Sequence, residues 1–388
     1  MIIGIPREIL ERERRVAALP TEVTEYVRMG FTVLVEASAG AGALRSDAEY
    51  EAAGAEIVPG AADIFSRADI ILKVKQPHMN AALGKHETEL IREGAMLITF
   101  LHPAAPANHD IIRTLRDRNI TALTMDGVPR IPRALPMDPL VSMSTISGYK
   151  AVINAAATLP VFVPKVETVL GSTTPAVFLV VGAGVVGMQS IATARRLGGR
   201  VIVFDIRAEA RDSAWRAGAE IGGCEVPPEL AFDSDGVARP LSGEWLAHVR
   251  TALAPLVAQA DVVVLSSLVP GEVAPVLVTE EMVASMRPGS YIADVSIDQG
   301  GNCALTRPGQ EVVVHGVTIS GWLNIPGSVP VHASWMYSKN MLAFVQNLFK
   351  KGIGTPDLSD EVVAETLVTR DRRIVHAGTL RAMRGAAE

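Results

Sequence analysis

Short apolar runs alternate with amphipathic stretches along the first third of the chain. The apolar runs have the length and composition of strands and lie at residues 2–5, 32–36, 70–74, 96–100 and 120–123. Between several of them, residues 21–29 and 109–118 repeat their apolar positions with a helical period. Alternation of strand and helix predicts a parallel sheet covered by helices. We expect this block to end near residue 143.

A long helical stretch at residues 144–159 separates this block from a second one, whose strands lie at residues 176–181, 200–204, 261–265 and 290–294. Another helix, near residues 333–350, would return the chain to the first block. The pattern predicts an α/β fold with two Rossmann-like domains built on parallel sheets. The first domain is expected to be discontinuous, with residues 1–143 and 331–388, and the second to span 144–330. Residues 225–244 are polar and contain proline, which predicts an insertion or mobile loop.

The second block opens with a glycine-rich turn, Gly182-Ala183-Gly184-Val185-Val186-Gly187, directly after a strand and before a helix. Glycines in this setting permit a tight turn and a close approach of the backbone to a pyrophosphate. The next strand ends at Asp205, whose carboxylate can accept a hydrogen bond from a ribose hydroxyl. The combination predicts an NAD site. Asp205 would repel a 2′-phosphate, which favours NAD over NADP, although Arg207 nearby weakens that distinction.

The composition argues against nucleic-acid binding, metal binding and insertion into a membrane. Of 388 residues, 48% are hydrophobic and 20% charged, and 42 acidic against 36 basic residues give a net charge of −6. Because the basic residues are dispersed, a nucleic-acid partner is not expected. The two cysteines lack a metal-ligand spacing, so we expect no metal. Neither a signal peptide nor a membrane-spanning segment is evident, which predicts a cytoplasmic protein.

Four side chains with suitable chemistry follow strands. Arg15, in a polar loop, has a guanidinium that can clamp a carboxylate, and Lys75 and His102 end the strands that precede them. Asp298 leaves a strand of the second block. Taken singly, each has a plainer reading, such as a solvated arginine, a surface lysine or a hydrogen-bonded loop histidine. Together they predict a site that binds a carboxylate and transfers a proton, with His102 as the acid or base.

Over nearly its whole length the chain resembles the superfamily of alanine dehydrogenases and proton-translocating nicotinamide nucleotide transhydrogenase α-subunits. The matching stretches are residues 4–8, 15–17, 72–75, 182–187, 268–271, 297–301 and 324–326. The resemblance implies NAD as cofactor and a homo-oligomer of at least two chains. The cofactor contacts that it implies are Gly182, Gly184, Val185, Val186, Gly187, Asp205, Ile206, Arg207, Leu268, Val269, Asp298 and Asn324.

Residues 125–133, 147–151, 301–303 and 368–377 look like the transhydrogenase branch, yet Leu135 replaces the glutamine that those enzymes place beside the nicotinamide. A leucine cannot make that polar contact, which argues against hydride exchange with a second nucleotide. The substrate residues of alanine dehydrogenases fall on Arg15, Lys75, His102 and Asp298. By resemblance, Arg15 and Lys75 hold the carboxylate and carbonyl, His102 is the general acid and base, and Asp298 positions water or ammonia and the cofactor.

The sequence therefore favours an NAD-dependent amino-acid dehydrogenase, which converts an L-amino acid to a 2-oxo acid and ammonia or the reverse. One alternative is a transhydrogenase component that binds NAD(H) and docks on membrane subunits. Another is a regulatory NAD-binding protein without turnover. Arg130 and Arg133 would favour an acidic or phosphorylated substrate if they line the cleft, whereas an ion pair between Arg130 and Asp138 is the structural expectation.

Overall fold

The computed structural model describes residues 1–233, 238–269 and 272–385. The chain divides into two compact units. The first consists of Met1–Met143 and Pro326–Glu388, and the second is Ser144–Ile325. The motif at residues 268–271 is described only as far as Val269, because Pro270 and Gly271 lie outside the described residues.

The first unit is built on an eight-stranded sheet. Leu367–Arg370 pairs antiparallel with both of its neighbours, and the remaining pairs are parallel. The parallel strands therefore end at the same edge of the sheet, and their side chains are mostly buried. In spatial order the strands are Arg373–Ile374, Leu367–Arg370, Thr121–Thr124, Met96–Thr99, Ile70–Leu72, Ile2–Ile5, Thr32–Glu36 and Glu56–Val58.

Helices connect and cover these strands. They are Pro20–Arg28, Asp47–Ala52, Ala61–Arg67, Glu87–Leu90, His109–Asp117, Pro330–Leu348, Glu361–Thr366 and Ala377–Gly385, with 3₁₀ turns at Ala41–Ala43, Pro106–Asn108, Met125–Gly127 and Pro132–Met137. A small hairpin pairs Met79–Asn80 with Lys85–His86.

The helix expected from residue 144 begins earlier and spans Pro139–Thr158. Proline is well suited to a first helical turn, since its missing N–H would have no partner there. One carboxylate oxygen of Asp138 accepts hydrogen bonds from the backbone N–H groups of Leu140 and Val141. The earlier start is therefore a consequence of a proline at the first position and an aspartate cap before it.

The second unit contains a seven-stranded sheet. Its strands pair in parallel except for Glu311–Val314, which runs antiparallel beside Val317–Ser320. In spatial order they are Glu220–Gly222, Arg200–Phe204, Val177–Val181, Val262–Leu265, Tyr291–Asp294, Val317–Ser320 and Glu311–Val314. Chain order reverses between Val177–Val181 and Val262–Leu265, and open α/β sheets bind ligands beyond the carboxyl ends of strands at such a point.

Apolar side chains bury both faces of this second sheet. The covering helices are Val185–Arg196, Ala208–Arg216, Pro228–Ala231, Gly243–Gln259 and Glu280–Ser285, with a hairpin of Glu167–Thr168 and Gly171–Ser172 and 3₁₀ turns at Val295–Gln299 and Ile325–Ser328. The α/β class with two Rossmann-like sheets is thus confirmed. In the described ranges, every helix is too short or too polar to cross a membrane.

The polar segment at residues 225–244 is only partly described. It contains the short helix Pro228–Ala231 and a single bridge between Phe232 and Ala238, and the next helix begins at Gly243. Residues 234–237 lie outside the described residues, so the predicted mobile loop falls partly on them.

Candidate active site

Arg15 lies in the loop that follows the first strand, Ile2–Ile5, and it is only 2% exposed. Its guanidinium donates from Nε and Nη2 to the two carboxylate oxygens of Glu13, and from Nη1 to the sulfur of Met143 at 3.0 Å. The solvated arginine considered as an alternative is therefore excluded. Burial disfavours the charged form of Glu13, but Arg15 and then Lys75 more than compensate and lower its pKa to about 2.

Lys75 is half-buried just beyond the strand Ile70–Leu72, and its positive charge helps Arg15 to lower the pKa of Glu13. Lys73, two residues earlier, is fully buried between Glu8 and Glu87, with Nζ within 3.4 Å of an oxygen of each. Burial raises the pKa of Glu8 to about 6, while Lys73 opposes the rise. The two lysines thus differ: Lys73 is paired inside the protein, whereas Lys75 is less buried and acts electrostatically on Glu13.

His102 follows the strand Met96–Thr99 and has a left-handed backbone with φ of 44°. Such a conformation is uncommon outside glycine and needs support from its surroundings. Asp126 supplies it. One of its oxygens accepts the backbone N–H groups of Leu101 and His102, and the other lies 2.8 Å from His102 Nδ1. Burial opposes ionisation of Asp126, but His102 outweighs this and keeps the Asp126 pKa below its usual range.

Tyr337 and Phe100 connect these groups. The Phe100 ring is nearly parallel to the His102 ring, with centroids 5.8 Å apart, and it also contacts the ring of Tyr337. The buried Tyr337 hydroxyl donates to the backbone carbonyl of Lys73. Burial is the main reason that its pKa is well above the usual range, and the nearby charges of Glu8, Arg15 and Asp126 also act on it. The first unit therefore brings Arg15, Lys75 and His102 to one edge of its sheet.

The loop at residues 129–138 differs from expectation. Arg130 is exposed and, within the described part of the chain, forms no ion pair with Asp138, so the pair expected from the sequence is wrong. Asp138 is buried and caps the helix Pro139–Thr158 instead. Arg133 forms ion pairs with Asp360, which precedes the helix Glu361–Thr366, and with Glu361, the first residue of that helix. Leu135 is 55% exposed.

The glycine turn of the second unit has the geometry that a pyrophosphate requires. Gly182 has φ of 93°, a conformation that favours glycine. A Cβ at Gly187 would lie 1.9 Å from the Gly182 carbonyl oxygen, so the helix packs on the strand at the distance that only glycine allows. A Cβ at Gly184 would meet no described atom within 4 Å. The helix starts at Val185 after Gly184, which has no side chain to cap it, and its first N–H groups suit an anion.

Asp205 ends the neighbouring strand and is only 5% exposed. Its carboxylate accepts the backbone N–H groups of Ala183 and Arg207 and two N–H groups of the Arg207 guanidinium. Ile206 and Arg207 are half-buried beside it. The open space over Gly184, the uncapped helix start and the acidic group at the adjacent strand end fit an NAD molecule at this edge.

A second buried network holds the loops at the same edge. Asn302 accepts hydrogen bonds from the Ser267 N–H and the Ser296 hydroxyl, and its amide donates to the Ser267 carbonyl. Asp294 accepts the backbone N–H groups of Asn302 and Cys303. The predicted residues on these loops are Leu268 (44% exposed), Val269 (8% exposed), Asp298 (exposed) and Asn324 (half-buried, φ of 52°).

Two Rossmann-like units, one with a complete dinucleotide motif, define the class as nucleotide-binding oxidoreductases. Residues 4–147 match the family described as "Alanine dehydrogenase/PNT, N-terminal domain", and residues 151–377 match "Alanine dehydrogenase/PNT, C-terminal domain". The chain is 41% identical to the first segment of the NAD(P) transhydrogenase alpha subunit of Rhodospirillum rubrum, over 97% of this chain and 98% of that protein.

Solved structures from both branches of the family are similar to this chain. A transhydrogenase from Sinorhizobium meliloti superposes with a TM-score of 0.84 at 35% identity, covering 97% of this chain and all of the other. An L-alanine dehydrogenase superposes with a TM-score of 0.82 at 31% identity, covering 99% of both chains. The chain belongs to the alanine dehydrogenase/PNT family. Domains of this family bind NAD(H), so the predicted cofactor is confirmed.

Three residues that the structure brings to this candidate site were not identified from the sequence: Glu13, Asp126 and Tyr337. Asp126 lies just after the strand Thr121–Thr124, so the strand-end argument that selected Lys75 and His102 applies to it as well. Glu13 lies two residues from Arg15 but nothing local distinguishes it from its acidic neighbour Glu11. Tyr337 is on a helix far along the chain, and its place in the site depends on tertiary packing.

Proposed function

We propose that the protein is an NAD-dependent amino-acid dehydrogenase. It would oxidise an L-amino acid with NAD and water to a 2-oxo acid, ammonia and NADH, and it would run in reverse as a reductive amination. The observation that carries this proposal is the convergence of Arg15, Lys75 and His102 at one edge of the first sheet. Two cations and a proton-transfer group are what a substrate with a carboxylate and an amine needs.

Arg15 and Lys75 would bind the substrate carboxylate and carbonyl, with Glu13 holding both cations in place. Two N–H groups of the Arg15 guanidinium are already directed at Glu13, which fixes the orientation of the planar group before substrate arrives. The positive charge that attracts the substrate is then partly offset by Glu13, so Lys75, which is less buried, supplies the more accessible charge.

His102 would exchange protons with the substrate amine and with water. Because Nδ1 lies 2.8 Å from Asp126, Nε2 is the ring nitrogen left to perform the exchange. Bound NAD would accept the hydride from the substrate carbon. In the second unit, Asp298 is exposed on its loop and would position water or ammonia and the cofactor, as the family resemblance implies.

The test is a panel of L-amino acids with NAD, followed by the absorbance of NADH. Reduction of NAD by one or a few amino acids, and oxidation of NADH by the matching 2-oxo acid with ammonium, would support the proposal. The panel must include acidic and phosphorylated substrates, since Arg130 is exposed. Absence of turnover with every amino acid would refute it.

A role as the NAD(H)-binding component of a transhydrogenase is the second candidate, and the 41% identity to a transhydrogenase subunit favours it. In that role the chain would bind NAD(H) and dock on separately encoded membrane subunits. Hydride exchange between NADH and an NADP analogue, measured with such subunits added, tests it. A non-catalytic NAD-binding regulator would bind NADH yet fail in both assays.

A further inference from the structure

The hydrogen bonds at Asp205 leave no room for an additional donor. A carboxylate has about four lone-pair sites. Oδ1 accepts the Arg207 backbone N–H at 2.8 Å and its Nε at 3.1 Å, and Oδ2 accepts the Ala183 N–H at 2.7 Å and Arg207 Nη2 at 2.9 Å. All four sites are therefore used within the protein.

An NAD ribose needs one of these sites, because its 2′-hydroxyl donates to the acidic side chain at the end of the second strand. Two of the present donors are backbone groups that are fixed by the glycine turn and by the turn into the helix Ala208–Arg216. The other two belong to the guanidinium of Arg207, which is carried by a flexible side chain that is 37% exposed. The guanidinium is the group that must leave when the ribose binds.

The displaced guanidinium stays close to the ribose, because its backbone is two residues from Asp205. A 2′-phosphate at that position carries negative charge that Asp205 alone would repel, and a free guanidinium can pair with it through two parallel hydrogen bonds. Arg211, one helical turn further along, donates to the Asp205 backbone carbonyl and is thereby held in place.

We propose that Arg207 determines nucleotide specificity in two ways: it masks Asp205 in the free protein, and it pairs with a 2′-phosphate once displaced. The mask weakens NADH binding, and the pairing strengthens NADPH binding. The wild-type protein would then prefer NADH by only about tenfold, equivalent to about 1.4 kcal/mol. The inference rests on the proposed function only through its nucleotide site, and it makes no use of the amino-acid substrate.

Dissociation constants of NADH and NADPH, from calorimetric or fluorescence titration of the whole protein, provide the test. Arg207→Met keeps an unbranched stem about as long as that of arginine but removes the guanidinium and its donors. We expect NADH to bind about three- to fivefold more tightly, since a partly exposed ion pair no longer has to be broken. NADPH should bind at least about tenfold more weakly, since a charge-assisted pair is lost.

Arg207→Lys separates the two effects. Lysine keeps the positive charge but cannot donate to both carboxylate oxygens as a planar fork. We expect NADH to bind almost as tightly as in Arg207→Met, and NADPH to bind with an affinity between those of the wild type and Arg207→Met, because lysine keeps the charge but loses the second parallel hydrogen bond. Arg200→Gln is the matched control, because Arg200 forms an exposed ion pair with Glu220 at the other end of the same strand. It should leave both constants unchanged.

Unchanged affinities in Arg207→Met, or tighter binding of NADPH, would overturn the inference while leaving amino-acid oxidation untouched. Wild-type protein that binds neither nucleotide would overturn both the inference and the nucleotide site. The thermal midpoints of the variants provide a check of folding, and Arg207→Lys remains informative if Arg207→Met is unstable.

Discussion

Replacing Glu13 by glutamine tests the buried ion pair between Glu13 and Arg15 in the first unit. Glu13 and Arg15 are 7% and 2% exposed, and the carboxylate of Glu13 accepts two guanidinium hydrogen bonds. Glutamine keeps the shape but removes the charge, so the buried Arg15 loses its counterion. Breaking a buried pair from one side costs about 3 to 5 kcal/mol, because an uncompensated charge remains.

The pKa of Glu13 gives a second value for the free energy by which the ionised carboxylate stabilises the folded state. It is lowered from 4.5 to about 2, chiefly by Arg15 against the opposing effect of burial. A pKa lowered on folding stabilises the folded state at pH values above the unfolded pKa, and the stabilisation is lost as the pH falls through the folded pKa. At about 1.4 kcal/mol per pKa unit, the contribution is about 3 kcal/mol near neutral pH and about 2 kcal/mol at pH 3.5.

Urea unfolding of wild type and Glu13→Gln across this pH range measures the difference directly. We expect the free energies of unfolding to differ by about 3 kcal/mol at pH 6, and the difference to shrink by about 1 kcal/mol at pH 3.5. Glu25→Gln is the control, because the Glu25 pair with Arg28 is exposed and should contribute no more than about 0.5 kcal/mol. A difference below about 1 kcal/mol at pH 6, or one that grows on acidification, would refute the reasoning.

Three further predictions concern His102, to which the proposal gives the proton-transfer role, the glycine turn and assembly. Asp126→Asn should lower kcat for the amino acid by about tenfold or more with little change in KM, because His102 loses its orienting carboxylate. Asp126→Glu keeps a carboxylate and should recover part of the lost kcat, so an equal loss of kcat in both variants would contradict this role. Gly184→Ala should fold normally yet weaken NADH binding in a titration, whereas Gly187→Ala should lower the melting temperature, because only its Cβ meets backbone. Light scattering at micromolar concentration should show at least a dimer, and a single species with the mass of one chain, 41.2 kDa, would contradict this oligomeric state.

The sheets and the nucleotide turn were predictable because their signals are local. Strands such as Val177–Val181 are continuous apolar runs, as expected for strands buried on both faces, and the glycine spacing directly after that strand is specific. The antiparallel strand Glu311–Val314 has a shorter run, of three valines, and Glu311 and Val313 are exposed at the sheet edge, so its pattern is not that of a strand buried on both faces. Leu367–Arg370 joins the first sheet through an irregular pairing with a distant strand, which no local pattern encodes.

The positions of individual residues in the candidate site were predictable only where a strand end placed them. This argument selected Lys75 and His102 and brought them to the same sheet edge. It could not supply the partner of Arg15, because an acidic residue in a charged loop is ordinary until the fold buries it. The expected ion pair between Arg130 and Asp138 was wrong because the helix begins earlier than expected. It starts at Pro139, and the Asp138 carboxylate accepts hydrogen bonds from its first turn.

The amino-acid dehydrogenase proposal is tested most directly by His102→Ala, with NADH affinity measured on the same preparations. Loss of proton transfer should lower turnover with the amino acid by about a hundredfold or more, while NADH affinity stays close to wild type. Lys75→Ala should raise the KM for the amino acid as well as lower turnover. Amino-acid oxidation at wild-type rates in both variants would contradict the site assignment. The reaction itself would be contradicted if the wild type oxidised no amino acid, while the wild type and His102→Ala exchanged hydride equally fast with membrane subunits added.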